Sequence, residues 1–239
     1  MTNEILLIIM LIMTYGMVLM WFAIFGKKGL VCFNVLATIA ANIEVLILVN
    51  AFGIEMTLGN ILFASTFLIT DILSEVAGKD YANKAVNIGI LTSITFIIIS
   101  QSWMLYIPSE NDFVMPGIKT VFTNTPRLMI ASLLTYAIVQ KFDVWLYHKW
   151  WQFTEKKFGD RKKFLWLRNN GSTLISQFFN TLLFTFAAFY GTYPLATLIS
   201  ITASSYAIFI VTSLADTPVV YLARYIYNKK ESKMISSGV

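Results

Sequence analysis

Charge is what this chain has least of. Asp, Glu, Lys and Arg together make up 13% of its 239 residues, while 57% are hydrophobic and the mean hydropathy is +0.68. Soluble domains carry about a quarter charged residues, so a water-soluble globule is excluded. Cysteine is nearly absent: Cys32 is single, which excludes an intrachain disulfide. Neither a phosphate-binding glycine loop nor metal-ligand spacing occurs, so the chain by itself is not expected to hydrolyse ATP or to need a cofactor or metal. Short alternating segments of the transmembrane β-barrel kind are missing too. No cleavable leader is read at the start, because the first apolar run follows Glu4 rather than a basic region and is too long. No internal repeat stands out.

What the chain has is apolar length. Seven segments reach or approach the roughly 20 residues that span a bilayer, at about 4–26, 30–51, 59–77, 84–107, 120–146, 170–190 and 197–227. The expected fold is all-α, a polytopic transmembrane helical bundle of about seven spans. It forms a single domain over 1–239, because the longest loop, about 147–169, is too short for a core of its own.

The basic residues sort by loop. Lys27 and Lys28 follow the first span, and Lys79 and Lys84 lie around the start of the fourth. Lys149, Lys156, Lys157, Arg161, Lys162, Lys163 and Arg168 follow the fifth, and Arg224, Lys229, Lys230 and Lys233 lie in the tail. The intervening loops, "AFGIEMTLG" and "YIPSENDFVMPGIK", are acidic or nearly uncharged. Basic loops face the cytoplasm, so the N-terminus is expected outside and the C-terminus inside, which requires an odd number of crossings. The net charge of +5 then reflects topology and anionic lipid headgroups rather than nucleic acid. Trp103, Trp145, Trp150, Trp151 and Trp166 fall near the expected interfaces, as an aromatic belt requires.

Polar residues inside the spans carry the functional signal. Asp71 and Glu75 are four apart, hence on one helix face, with Ser74 and Gly78 nearby. A carboxylate facing lipid at mid-depth costs about 2.5–3.5 kcal/mol, so that face should turn inward. The alternative is that Lys79 or Lys84 satisfies them at the basic end. Asn34, Thr38, Asn42 and Glu44 mark the second span, and Arg127, Gln140 and Asp143 the fifth. In the sixth, Thr173, Ser176, Gln177, Asn180 and Phe184 form one stripe. Ser205, Thr212, Ser213, Asp216, Thr217 and Pro218 mark the seventh, where the proline frees a carbonyl for a neighbouring helix or water. Isolated Ser132, Ser172 and Ser200 read as interhelical glue. Amides, hydroxyls and carboxylates contributed by several spans are better explained by one shared polar chamber, suited to a small, planar, hydrogen-bonding solute.

Longer stretches then become informative. "LGNILFASTFLITDILSEVAGKDYANKAVNIG", "RLMIASLLTYAIVQKFDVWLYHK", "LWLRNNGSTLISQFFNTLLFTFAAFYG" and "TPVVYLAR" resemble the queuosine precursor transporter family of vitamin-uptake-transporter-like membrane proteins. The resemblance runs from Ala41 to Arg224, in order and at compatible spacing, with the first span extra to a six-span core. It implies a transporter, not an enzyme, in the cytoplasmic or inner membrane. Its implied cargo is a cyano- or aminomethyl-deazaguanine, or queuine, for tRNA modification. Onto this sequence it carries Asn42, Asp71, Glu75, Arg127, Gln140, Asp143, Gln177 and Asp216 as candidate substrate-binding residues, joined by Asn180. Arg168, Asn169, Asn170 and Pro218 stand as structural or topological residues. The partners implied are the small base and the bilayer, and a second copy of the chain stays open. A substrate-binding subunit of an ATP-driven uptake complex is the alternative.

Two positions depart from the family pattern. Asn180 stands where S-Q-x-x-D-T is usual, and Phe209 where a lysine is common. Joint loss of an acid and a base suggests that they pair in other members, since an unpaired buried charge is costly.

Overall fold

The computed structural model describes residues 2–123, 126–160 and 163–236. Arg161 and Lys162, counted above among the basic residues, lie outside them, as does the side chain of Lys233. Seven helices and one β-hairpin follow in the order α1 (Asn3–Glu44), β1 (Leu48–Ala51), β2 (Ile54–Thr57), α2 (Asn60–Ala77), α3 (Lys79–Trp103), α4 (Met115–Thr123), α5 (Pro126–Phe158), α6 (Leu165–Phe189) and α7 (Leu195–Ser236). All but α4 are long and apolar enough to cross a membrane. Helices suit that setting because each backbone N–H and C=O is satisfied within its own segment.

α1 is folded into two limbs. Gly26 breaks it at φ 64° and ψ −146°, a conformation that side-chain-bearing residues avoid. A straight helix of this length would extend about 60 Å, yet its two ends meet. Asn3 Nδ2 donates to the carbonyl of Asn50 at 2.9 Å, and the Phe52 N–H donates to Glu4 Oε1 at 3.1 Å. The limbs 3–25 and 27–44 therefore run antiparallel, with Trp21 packed edge-on against Phe33 at 5.9 Å. The seven crossings expected from the sequence are thus six long helices, the first folded in two.

Several boundaries differ from expectation. The second span ends at Glu44 rather than 51. Residues beyond it form a β-hairpin with Ala51 opposite Ile54, closed by Phe52 and Gly53, both at positive φ as a tight two-residue turn requires. Apolar β-branched residues there had read as more span. The fifth span is divided into α4 and α5, since Pro126 starts a new helix. α5 then continues to Phe158, so most of the expected long loop is helix; its "YHKWWQFTEKKF" is polar on the surface but keeps helical periodicity.

The bundle has two distinct ends. At the hairpin end lie residues 2–4, the β-hairpin and the turns after α3 and α6. Arg127 ties α5 to α6 there, donating through Nε and Nη2 to the carbonyls of Ala187 and Tyr190 at 3.1 and 2.6 Å. At the basic end lie Gly26, Gly78 and the α7 tail, where Lys230 Nζ donates to the carbonyl of Ala23. α2 is the central helix: 83% of it is buried, against 17–44% for the others. Its neighbours are α1, α3, α5 and α7, so its polar face is the one around which the bundle closes.

Candidate functional site

Three levels of polar structure line the inside of the bundle. The first, at the hairpin end, is a chamber that opens to the outside of the bundle. It lies among α1, α2, α5, α6 and α7. Asn60, Phe63, Thr135, Asn180, Phe184 and Phe209 are among its walls. Phe63 meets Phe209 edge-on at 6.3 Å, and it is braced by Phe67 at 5.7 Å and Tyr136 at 6.2 Å. Of the residues singled out from sequence as substrate-binding, only Asn180 lines this space. Phe209, where the resemblance led to the expectation of a lysine, lines it too, and Ser132, read as glue, belongs to its wall.

Below the aromatic rings lies a column of fully buried polar groups. Gln140 Nε2 donates to Thr66 Oγ1 at 2.6 Å, and Thr70 Oγ1 donates back to Gln140 Oε1 at 3.2 Å. One turn deeper, Asp71 Oδ2 accepts from Thr173 Oγ1 at 2.9 Å, and the Asp71 side chain lies beside that of Asp143. On the α7 side, Asn169 Nδ2 donates to Asp216 Oδ1 at 3.0 Å. Asp71, Asp143 and Asp216 are all buried, and among the described residues no Lys or Arg pairs with any of them. Many atoms here have no protein partner: Asp71 Oδ1, both Asp143 oxygens, Ser74 Oγ, Ser176 Oγ, Gln177 Oε1 and Ser213 Oγ. Buried polar atoms nearly always find a partner. So many orphans on four converging helices mark a place where something else supplies hydrogen bonds.

At the basic end the column is shut by ions. Arg168 Nη2 donates to both Glu75 oxygens at 2.8 and 2.7 Å, and its Nε reaches Oε2 at 3.1 Å. Tyr147 OH donates to the same Oε2 at 2.9 Å, and Arg224 Nη1 lies 3.3 Å from Oε1. The Arg168 guanidinium lies over the Trp151 ring at 4.3 Å. Four helices, α2, α5, α6 and α7, are joined here through one carboxylate. Glu75 is thereby separated from Asp71 in role, although both sit on one helix face. Its partner is Arg168, 93 residues on, rather than the nearby Lys79 or Lys84. Trp151, expected at the lipid interface, turns inward as a lid on that arginine.

The remaining candidates disperse. Asn42 Nδ2 donates to its own helix, at the carbonyl of Thr38, 2.8 Å away. Asn34 joins α1 to α3 and α5, donating to the carbonyl of Ala85 and to Tyr136 OH at 3.1 and 3.3 Å. Arg127 is at the hairpin-end surface. Asn170 Nδ2 donates to Thr217 Oγ1 at 2.7 Å beside Pro218, which sits inside an unbroken α7. Asn60 was missed by sequence reasoning. At the first turn of a helix an asparagine reads as a cap, and nothing local shows that it faces a chamber.

Comparison with known proteins accords with this architecture. The family described as "Putative vitamin uptake transporter" matches residues 57–223. The chain is 36% identical to the "Probable queuosine precursor transporter" of Bacillus subtilis (strain 168) over 213 residues, covering 89% of this chain and 91% of that one. No solved structure matches the chain significantly. A multi-pass bundle with a polar interior is what such a family needs, and the chain belongs to this family of membrane transporters.

Proposed function

We propose that this chain carries a queuosine precursor, a deazaguanine base, across the cell membrane for tRNA modification by alternating access. The hairpin end faces outward and the basic end faces the cytoplasm, as the distribution of lysine and arginine favours. The substrate class comes from the name of the Bacillus subtilis relative. The observation that carries the mechanism is the asymmetry of the bundle: a chamber at one end and a buried ion cluster across the other. That is the arrangement of a carrier accessible from one side.

The orphaned acceptors of the column suit the cargo. A guanine-like edge presents adjacent N–H donors, which the free oxygens of Asp71 and Asp143 accept, while Gln177 reads a further donor. Movement past this level requires the Glu75 cluster to part, opening the basic end as the hairpin end closes over the chamber. The decisive experiment is uptake of cyano-deazaguanine into proteoliposomes containing the purified chain and nothing else. Accumulation or equilibration by the chain alone supports a self-sufficient carrier. Uptake that appears only with an ATP-driven module overturns it.

A further inference from the structure

The chamber has a chemistry of its own, distinct from the acidic column beneath it. None of the side chains lining it is charged. Its two asparagines are both more than nine-tenths buried, Asn60 at 8% and Asn180 at 5% exposed. Each leaves one polar atom unpartnered: a donor, Asn60 Nδ2, and an acceptor, Asn180 Oδ1. The Asn60 amide is oriented by Thr57, whose Oγ1 donates to Asn60 Oδ1 at 3.0 Å and thereby leaves the nitrogen free. One unpaired donor on α2 and one unpaired acceptor on α6, on walls of the same space, complement a group that offers an N–H and a C=O side by side. Phe63 and Phe209 offer flat apolar surface next to them, and Phe67 and Tyr136 hold Phe63 in place.

We propose that this chamber is a first station for the solute and selects a neutral, planar lactam over a protonated amine of the same shape, Asn180 Oδ1 accepting from the lactam N–H and Asn60 Nδ2 donating to its carbonyl. The proposal rests on the uptake reading and deepens it by separating entry from the acidic level below. A cation entering the chamber gives up hydration and meets no charged side chain among the lining residues; Glu44, whose buried Oε2 is itself unpartnered, sits beside Val45 but outside that lining. A neutral lactam loses little water and finds both hydrogen bonds ready. An aromatic ring on Phe63 or Phe209 gains contact area whatever its substituents, so charge and the paired edge do the discriminating.

The test is equilibrium binding to the purified full chain in detergent, with cyano-deazaguanine (neutral), aminomethyl-deazaguanine (cationic at neutral pH) and guanine (neutral, unsubstituted). The cyano compound is expected to bind about tenfold or more tighter than the aminomethyl compound, since an uncompensated charge is costly to bury. Asn60→Leu and Asn180→Leu are each expected to weaken cyano-deazaguanine about tenfold, the loss of a buried hydrogen-bond partner, with the melting temperature recorded to confirm folding. Asn180→Asp is expected to turn the preference toward the aminomethyl compound. Equal or tighter binding of the aminomethyl compound by the unaltered chain overturns the proposal, as does unchanged cyano-deazaguanine affinity in both folded leucine variants. Guanine binding that depends on Asn60 and Asn180, with neither deazaguanine bound, supports the chamber's lactam site and overturns the precursor reading instead.

Discussion

Arg168 and Glu75 form a fork, with the guanidinium donating to both carboxylate oxygens and both side chains at most 4% exposed. Tyr147 and Arg224 complete the same carboxylate, so the basic ends of α2, α5, α6 and α7 converge on it. A charge held this way in a low-dielectric interior is stable only with its partners present, which makes the cluster both a strong closure and one that can be sprung.

Removing one side of this pair is expected to cost more than removing both. Arg168→Met leaves Glu75 buried beside a single, partly exposed arginine, and loss of one partner from a buried pair costs about 3–5 kcal/mol. Glu75→Gln together with Arg168→Met should recover much of that. Melting temperatures in detergent for the two singles and the double decide it; additive losses would remove the pair as a coupled element.

The fold-back of α1 is testable by crosslinking. In a Cys32→Ser background, Asn3→Cys and Asn50→Cys should form a disulfide, because those residues already touch. Gly29 lies against the backbone of Trp21 across this turn, where an added methyl meets the Trp21 carbonyl. Gly29→Leu is therefore expected to lower the crosslinking yield and the melting temperature, overpacking of this kind costing about 1–3 kcal/mol. Failure of the Asn3–Asn50 pair to crosslink would contradict the antiparallel limbs.

For the acidic level, Asp143→Asn is expected to leave the melting temperature equal or higher while reducing deazaguanine uptake by about tenfold or more. Asp143 lies buried beside Asp71, and among the described residues no Lys or Arg pairs with it, so the amide relieves the crowding of two acids while removing an oxygen that the solute would use, the trade-off seen at active sites. Uptake at the unaltered rate would place the substrate elsewhere.

Asn180 and Phe209 line one chamber, which gives the pairing that the resemblance suggests for these two positions a physical setting. Asn180→Asp alone introduces a buried carboxylate with no partner, expected to destabilise by about 1–3 kcal/mol or more. Adding Phe209→Lys should restore part of the loss if the two positions form a pair across the chamber. A double variant no more stable than the single one would end the pairing idea.

Much of the architecture was already written in the order of residues. Apolar run length determined the helices, because an unpaired backbone group in hydrocarbon has no water to turn to. Alternation of basic and basic-poor loops set the two ends of the bundle apart, and helical spacing brought Asp71, Thr173, Asn180 and Asp216 to inward faces. Those are local or additive properties, and a single strand of text carries them. Tertiary structure decided the pairings. Glu75 chose Arg168 over the nearer Lys79, since a buried carboxylate is best met by a planar two-nitrogen fork, and only the tertiary arrangement that lets a long side chain of α6 reach α2 delivers one. Arg127 went to the surface and Asn60 to the chamber for the same reason: which wall of a helix meets empty space depends on how its neighbours lean, and no spacing along the chain records that.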